Sequence, residues 1–149
     1  MGENSIRERL ILSDVGILEA LEVITTVERK LPTYKDLKNF ALTQMPVAAV
    51  VGGIPIPTNH ICTRTGQVDK IISKLRVDIY VYQQEYSNTD SRISFMLDDL
   101  WPALYNNPTR DNLCLITTLE AEEHVETWTP FVAFKISCFH DYNHSTEGI

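Results

Sequence analysis

His140-Asp141-Tyr142-Asn143-His144, with Cys138 two positions upstream, is the stretch whose residue types come nearest to a metal site. Two histidines four positions apart share one face of a helix and can hold an ion there. Here the spacing begins at the end of an alternating strand, and a fourth ligand is not evident. The reading it supports is a polar strand terminus. Asp98-Asp99 lies on a helix-period segment beside Trp101, where a carboxylate is solvated rather than paired for acid–base work. Gly52-Gly53 and Gly66 lack the Lys and Ser/Thr of a phosphate loop and read as turn glycines. No Gly-x-Ser-x-Gly elbow occurs, and no convincing Cys/His nucleophile pair stands out. The sequence therefore gives no catalytic residue, cofactor site or metal site.

Glu120, Glu122, Glu123 and Glu126 form the one real charge concentration. The plain reading is a solvated strand end. The sharper reading is a negative surface facing a channel or a basic partner. Tyr80 and Tyr82 share a strand face with Lys74 and Arg76, a combination that can stack nucleic-acid bases. The net charge of −7 argues instead for a second packing face or an interface, because phosphate binding needs clustered Lys and Arg.

The elements that position these residues follow from periodicity. Ile6, Leu10, Ile17, Leu21 and Ile24 fall on one helical stripe. Ser13-Asp14 and Gly16 weaken its middle, so either the helix kinks there or Asp14 caps a second helix running to about Lys30 and ended by Pro32. Tyr34 to Leu42 reads as a short helix with Thr33 as cap and Leu37 and Phe40 as anchors. Met45 to Gly53 is an apolar strand of the kind covered on both faces. Ile54 to Gln67, with Pro55, Pro57, Asn59 and Gly66, reads as a long loop or a protruding hairpin.

From Lys70 to Gln84 apolar and mixed positions alternate, which makes a long strand. Ile93, Leu97, Leu100, Trp101 and Leu104 mark a helix to Tyr105, with a kink or frayed turn expected at Pro102. Leu113 to Val125 reads as a strand with Leu113, Leu115 and Leu119 inward and Cys114 and Ile116 on the other face. A turn near Thr127 to Pro130 leads to a last strand, in which Val132, Phe134, Ile136 and Cys138 alternate with Ala133, Lys135, Ser137 and Phe139. The tail from Asn143 to Ile149 reads as polar and flexible. The expected fold is α+β: a mainly antiparallel four-stranded sheet with helices on one face, order α(α)ββαββ.

At 149 residues, with 44% hydrophobic and 22% charged, the chain suits one domain with a real core. No apolar run approaches the roughly 20 residues of a membrane helix, and no signal peptide is visible at Met1 to Ser5. The odd, widely spaced Cys62, Cys114 and Cys138 do not suit a disulfide scaffold. Cys114 and Cys138 read as small buried hydrophobes, and the set implies folding in a reducing cytoplasm.

Several of these segments together resemble the tail terminator, or tail completion, proteins of long-tailed bacteriophages. They are Ile6-Arg7-Glu8-Arg9-Leu10, Pro46-Val47-Ala48-Ala49-Val50-Val51-Gly52 and Leu75-Arg76-Val77-Asp78-Ile79-Tyr80-Val81-Tyr82. The passage Leu100-Trp101-Pro102-Ala103-Leu104-Tyr105-Asn106-Asn107-Pro108-Thr109 and the strand Phe131-Val132-Ala133-Phe134-Lys135-Ile136 complete the set. The turn after the helix departs from the family pattern, with Thr109-Arg110-Asp111-Asn112 where glycines are usual.

The resemblance implies a structural virion protein assembled in the host cytoplasm and doing no chemistry. It implies a ring, usually a homohexamer, that caps the head-proximal end of the tail tube and docks to the neck connector. Its partners would be itself, the tube protein and the connector, with DNA passing through unbound and no membrane involved. Glu120, Glu122, Glu123 and Glu126 would face the lumen or an interface. Ile54, Ile56, His60 and Arg64 would belong to a loop touching the tube or a neighbour. The alternatives are another neck or head-completion part, a tail-tube subunit, or a small bacterial enzyme or ligand-binding domain.

Overall fold

A computed structural model describes residues 5–39, 45–62, 68–84, 89–125 and 131–145. Nine elements follow one another: α1 (Ile6–Glu19), β1 (Thr26–Glu28), α2 (Tyr34–Asn39), β2 (Val47–Gly52), β3 (Ile56–Cys62), β4 (Val68–Gln84), α3 (Thr89–Tyr105), β5 (Ile116–Val125) and β6 (Phe131–Ser145). The strands make one six-stranded sheet in the order β1-β2-β4-β6-β5, with β3 also on β4. The β1–β2 pair is parallel and all other pairs are antiparallel.

This corrects the expected four-stranded, mainly antiparallel sheet of order α(α)ββαββ. Two strands were hidden. Residues 26–28 fall where a second helix was expected, but α1 ends at Glu19 and the chain turns back to lay β1 beside β2. Residues 56–62 fall in the expected loop, and the hairpin alternative holds: β3 pairs with Val68 to Lys74 of β4. Gly52 sits opposite Val77 and Ile56 opposite Lys74, so β2 and β3 form one edge of β4 broken by a single extra residue. Such a bulge bends an edge strand and tolerates Pro55, which has no amide to donate. The Arg7 side chain fixes it, donating to the Gly52 and Gly53 carbonyls at 3.1 and 2.9 Å.

β4 is the spine. It pairs with β6 from Lys70 to Gln84 and with β3 and then β2 on its other side. Its odd positions Leu75, Val77, Ile79 and Val81 join Ala48 and Val50 of β2 and Phe134, Ile136, Cys138 and Tyr142 of β6 in the main core. Leu10, Ile11 and Leu18 of α1 and Met96, Leu100 and Leu104 of α3 cover that face. Helix α3 continues through Pro102 to Tyr105.

The opposite face is only partly covered, which corrects the expectation of helices on one side alone. Leu37 of α2 packs there with Met45, Val47, Ala49, Tyr82 and Ala133. A capping box starts α2: Thr33 Oγ1 accepts from the Asp36 amide, and Asp36 accepts from the Thr33 amide. Phe40 to Leu42 and the turn at 127–130 lie outside the described residues. β6 runs to Ser145, so the expected flexible tail begins too early; 146–149 lie outside the described residues.

Candidate functional site

The sequence-predicted site residues separate onto two surfaces. Ile54 and Ile56 are 83% and 64% exposed, at the bulge and on the start of β3. His60 lies further along β3, opposite Ile71; Arg64 lies outside the described residues. On the far edge of the sheet, Glu120 is exposed on β5 opposite Ser137, and Glu122 lies opposite Lys135. Glu123 follows at a register shift, and Glu126 lies outside the described residues. The sheet order puts β3 and β5 on opposite edges, so the described members of the two sets do not meet within one chain.

Between the edges, the partly covered face carries Lys74, Arg76, Asp78 and Tyr80 of β4 beside Lys135, Ser137 and Phe139 of β6. Arg76 Nε pairs with Asp78 at 2.9 Å, and Ser137 Oγ donates to the same carboxylate at 2.6 Å. Lys74 and Arg76 lie over the Phe139 ring and Lys135 over Tyr80. The cations are engaged by a carboxylate and by rings, an arrangement that suits an interface face better than a nucleic-acid platform.

The convergent titratable groups lie elsewhere, and sequence reading missed most of them. Asp14 of α1 is wholly buried. Its Oδ1 accepts from Arg110 Nε at 2.8 Å, and its Oδ2 contacts His140 Nε2 of β6 at 2.7 Å. His140 Nδ1 contacts Thr117 Oγ1 of β5 at 2.7 Å, and Thr117 Oγ1 contacts Cys114 Sγ at 3.5 Å. A carboxylate held by a guanidinium only accepts, so His140 Nε2 carries a proton toward Asp14. Burial opposes charge on His140, but hydrogen bonding to Asp14 and to Cys114 outweighs it and raises its pKa above the ordinary 6.5.

Arg110 is the keystone of the turn between α3 and β5. Its Nη1 donates to the Leu104 and Asn107 carbonyls. Arg110, Asp111 and Asn112 have φ of 48°, 58° and 68°. Asp and Asn tolerate this left-handed region; Arg does so at a cost. The Asn107 side chain accepts from the Asp111 amide and Thr109 Oγ1 from the Asn112 amide, so side chains hold the turn where glycines are absent.

Three expectations change here. Asp14 caps nothing: it continues the buried stripe Leu10, Ile11, Leu18. Cys114 does not point away from the core but is buried in the turn before β5, whereas Leu115 and Ile116 are exposed. A Cys/His arrangement absent from local motifs is assembled by the fold. The signal was present: His140 continues the inward run Phe134, Ile136, Cys138 of β6, so burial of a histidine demanded a partner.

Asp14, Cys138 and His140 also bring three donor atoms within 4.8 Å of one another. Both Asp14 oxygens are already committed to Arg110 and His140. Burial, then the nearby Asp14 carboxylate, push the Cys138 thiol far up and keep it protonated. A thiolate ligand is disfavoured there, and a cation would sit against the guanidinium. Among the described residues no helix is long and apolar enough to cross a membrane.

No protein-family model and no curated protein matches this chain.

Proposed function

We propose that the chain is a ring-forming virion subunit that caps the head-proximal end of a phage tail tube. The observation that carries this reading is the edge formed by the bulge and β3, where Ile54 and Ile56 project as the two most exposed large hydrophobics of the described residues. Neighbouring Pro57 and Thr58 are exposed as well. Apolar side chains grouped on an edge strand favour burial against another chain. The resemblance of segment order to tail terminators supplies the kind of assembly.

In this reading Ile54, Ile56, His60 and Arg64 touch the tube or the neighbouring subunit. Glu120, Glu122, Glu123 and Glu126 face the lumen and keep DNA from adhering. The contact is heterologous, one surface meeting a different one, and it closes into a ring instead of a filament. A tube subunit would polymerise or stack, which is the nearest competing assignment. A small ligand-binding domain is the other alternative; the buried cluster of Asp14, Arg110 and His140 is sealed from solvent and offers it no open site.

The test compares the wild-type chain with the double variant Ile54→Ser, Ile56→Ser by light scattering. Both side chains are exposed, so the fold survives. The wild type forms a discrete oligomer and the variant remains monomeric. An unchanged oligomer in the variant would remove the β3 edge from the contact.

A further inference from the structure

The relay that ends at Cys114 opens onto a cavity. Ile6, Arg9, Asn112, Leu113, Cys114, Leu115 and Asn143 surround a space of about 280 Å3. Its lining residues include Cys114, which is 6% exposed, the basic Arg9 and the amide-bearing Asn112 and Asn143. Behind the thiol, Cys114, Thr117, His140 and Asp14 follow one another at 3.5, 2.7 and 2.7 Å. A nucleophile, a base and a group that orients the base are the parts of an activated thiol.

Two proton arrangements fit the same heavy-atom positions. In the neutral one, the Cys114 thiol donates to Thr117 Oγ1, and the Thr117 hydroxyl donates to His140 Nδ1. In the charged one, imidazolium Nδ1–H donates to Thr117, whose hydroxyl donates to the Cys114 thiolate. Both keep the Cys114–Thr117–His140 contacts, so two short proton hops interconvert them; the Pro108 carbonyl, 3.5 Å from Cys114 Sγ, accepts only from the thiol and so favours the neutral arrangement at rest. Asp14 and Arg9 of α1, Arg110 of the turn and Cys138 of β6 are the other titratable or charged groups facing this region. Asp14 supports the imidazolium; Arg9, in the cavity wall, supports a thiolate and an anionic visitor.

We propose that Cys114 is a reactive thiol, a modification site that takes small anionic disulfide-type electrophiles in the cavity lined by Arg9, Asn112 and Asn143. The proton of Cys114 passes through Thr117 to His140. The thiolate attacks one sulfur of the reagent, a mixed disulfide forms, the reagent's sulfur–sulfur bond breaks, and the departing sulfur group leaves with the bond's electron pair. The net change is thiol–disulfide exchange and needs no other oxidant. Cys138, buried and held protonated, stays inert. This inference is independent of the ring assignment.

The test treats the full chain with sulfonatoethyl or aminoethyl methanethiosulfonate, which are anionic and cationic and lose methanesulfinate on attack. Peptide mapping by mass spectrometry reads each cysteine separately. Cys114 should react before Cys138, and faster with the anionic reagent. Thr117→Val interrupts the relay and should slow Cys114 by roughly 100-fold or more, the low end for a lost general base. Arg9→Glu, at an exposed position, should reverse the preference between reagents, and it decides the matter should Thr117→Val fail to fold. Equal rates with both reagents, or an unchanged rate in folded Thr117→Val, would overturn the proposal.

Discussion

Asp14→Asn removes one charge and almost no volume, so it isolates what the buried carboxylate contributes. Both Asp14 oxygens accept from cationic or proton-bearing groups, Arg110 Nε at 2.8 Å and His140 Nε2 at 2.7 Å. An asparagine supplies one carbonyl and one amide, so one of the two donors then faces another donor. The Arg110 guanidinium, fully buried, loses its counter-charge. Breaking a buried ion pair from one side costs about 3–5 kcal/mol, because the remaining charge stays desolvated. The turn at 110–112 loses its anchor in the same step.

Against a typical domain stability of roughly 5–15 kcal/mol this is a large fraction. For a domain of this size it corresponds to a fall in Tm of roughly 10 °C. Urea melts with an unchanged slope would report the loss directly. The paired substitution Asp14→Leu, Arg110→Met removes both charges and should be less damaging than Asp14→Leu alone. A Tm for Asp14→Asn within about 2 °C of wild type, a shift worth under roughly 1 kcal/mol for a domain of this size, would refute the idea that this pair holds α1 to the turn.

Other outcomes follow from the same geometry. His140 has a raised pKa in the folded state, so its contribution is fully present below the unfolded value near 6.5 and fades as pH rises through the folded value. The stability gap between wild type and His140→Gln, measured by urea melts across this range, should narrow as pH rises; a gap that widens would contradict it. Gly16→Ala and Gly52→Ala should have opposite signs. A methyl at Gly16 meets nothing within 4 Å inside α1 and should stabilise by about 0.5–1 kcal/mol. At Gly52 it collides with the buried Ile11 side chain and crowds Arg7, an overpacking cost of about 1–3 kcal/mol; thermal melts of both variants check the pair. On the proposed ring reading, charge reversal at Glu122 and Glu123 should leave particles assembled but slow DNA ejection, and unchanged ejection kinetics would remove these residues from the proposed lumen.

Legibility in the sequence followed the length and regularity of each pattern. β4 and α3 could be read because their periods persist over many residues. β2 could be read because an uninterrupted apolar run implies cover on both faces, and its first four residues are buried. β1 escaped because three residues carry no period, and its pairing with β2 is set by the chain turning back after α1. β3 escaped because Pro55 and Pro57 argue against a strand, although an edge beside a bulge accommodates both. The polar end of β6 looked like a tail because Asp141 and Asn143 interrupt hydrophobicity; register with β4 keeps it in the sheet.

The buried cluster was the least legible part. Asp14 and Arg110 are 96 positions apart, and Asp14 and His140 are 126 apart. No local motif encodes such contacts. The sequence alone reads Asp14 as a helix break or cap and His140 as a polar strand terminus, although Asp14 lies four positions after Leu10 and four before Leu18, and His140 two after Cys138. Charged or titratable residues on otherwise apolar stripes mark where partners must converge. The glycine-poor turn at 109–112 pointed the same way, since its geometry is met by the Arg110, Asn107 and Thr109 side chains.

The central claim is that this chain closes into a ring through its exposed edge. The most direct measurement is light scattering of the purified chain over a wide concentration range, with negative-stain images of the same fractions. The account predicts one discrete species near six times the 17.0 kDa of the chain, seen as rings with a central hole. Open filaments of growing length, or a monomer that persists at every concentration, would contradict it.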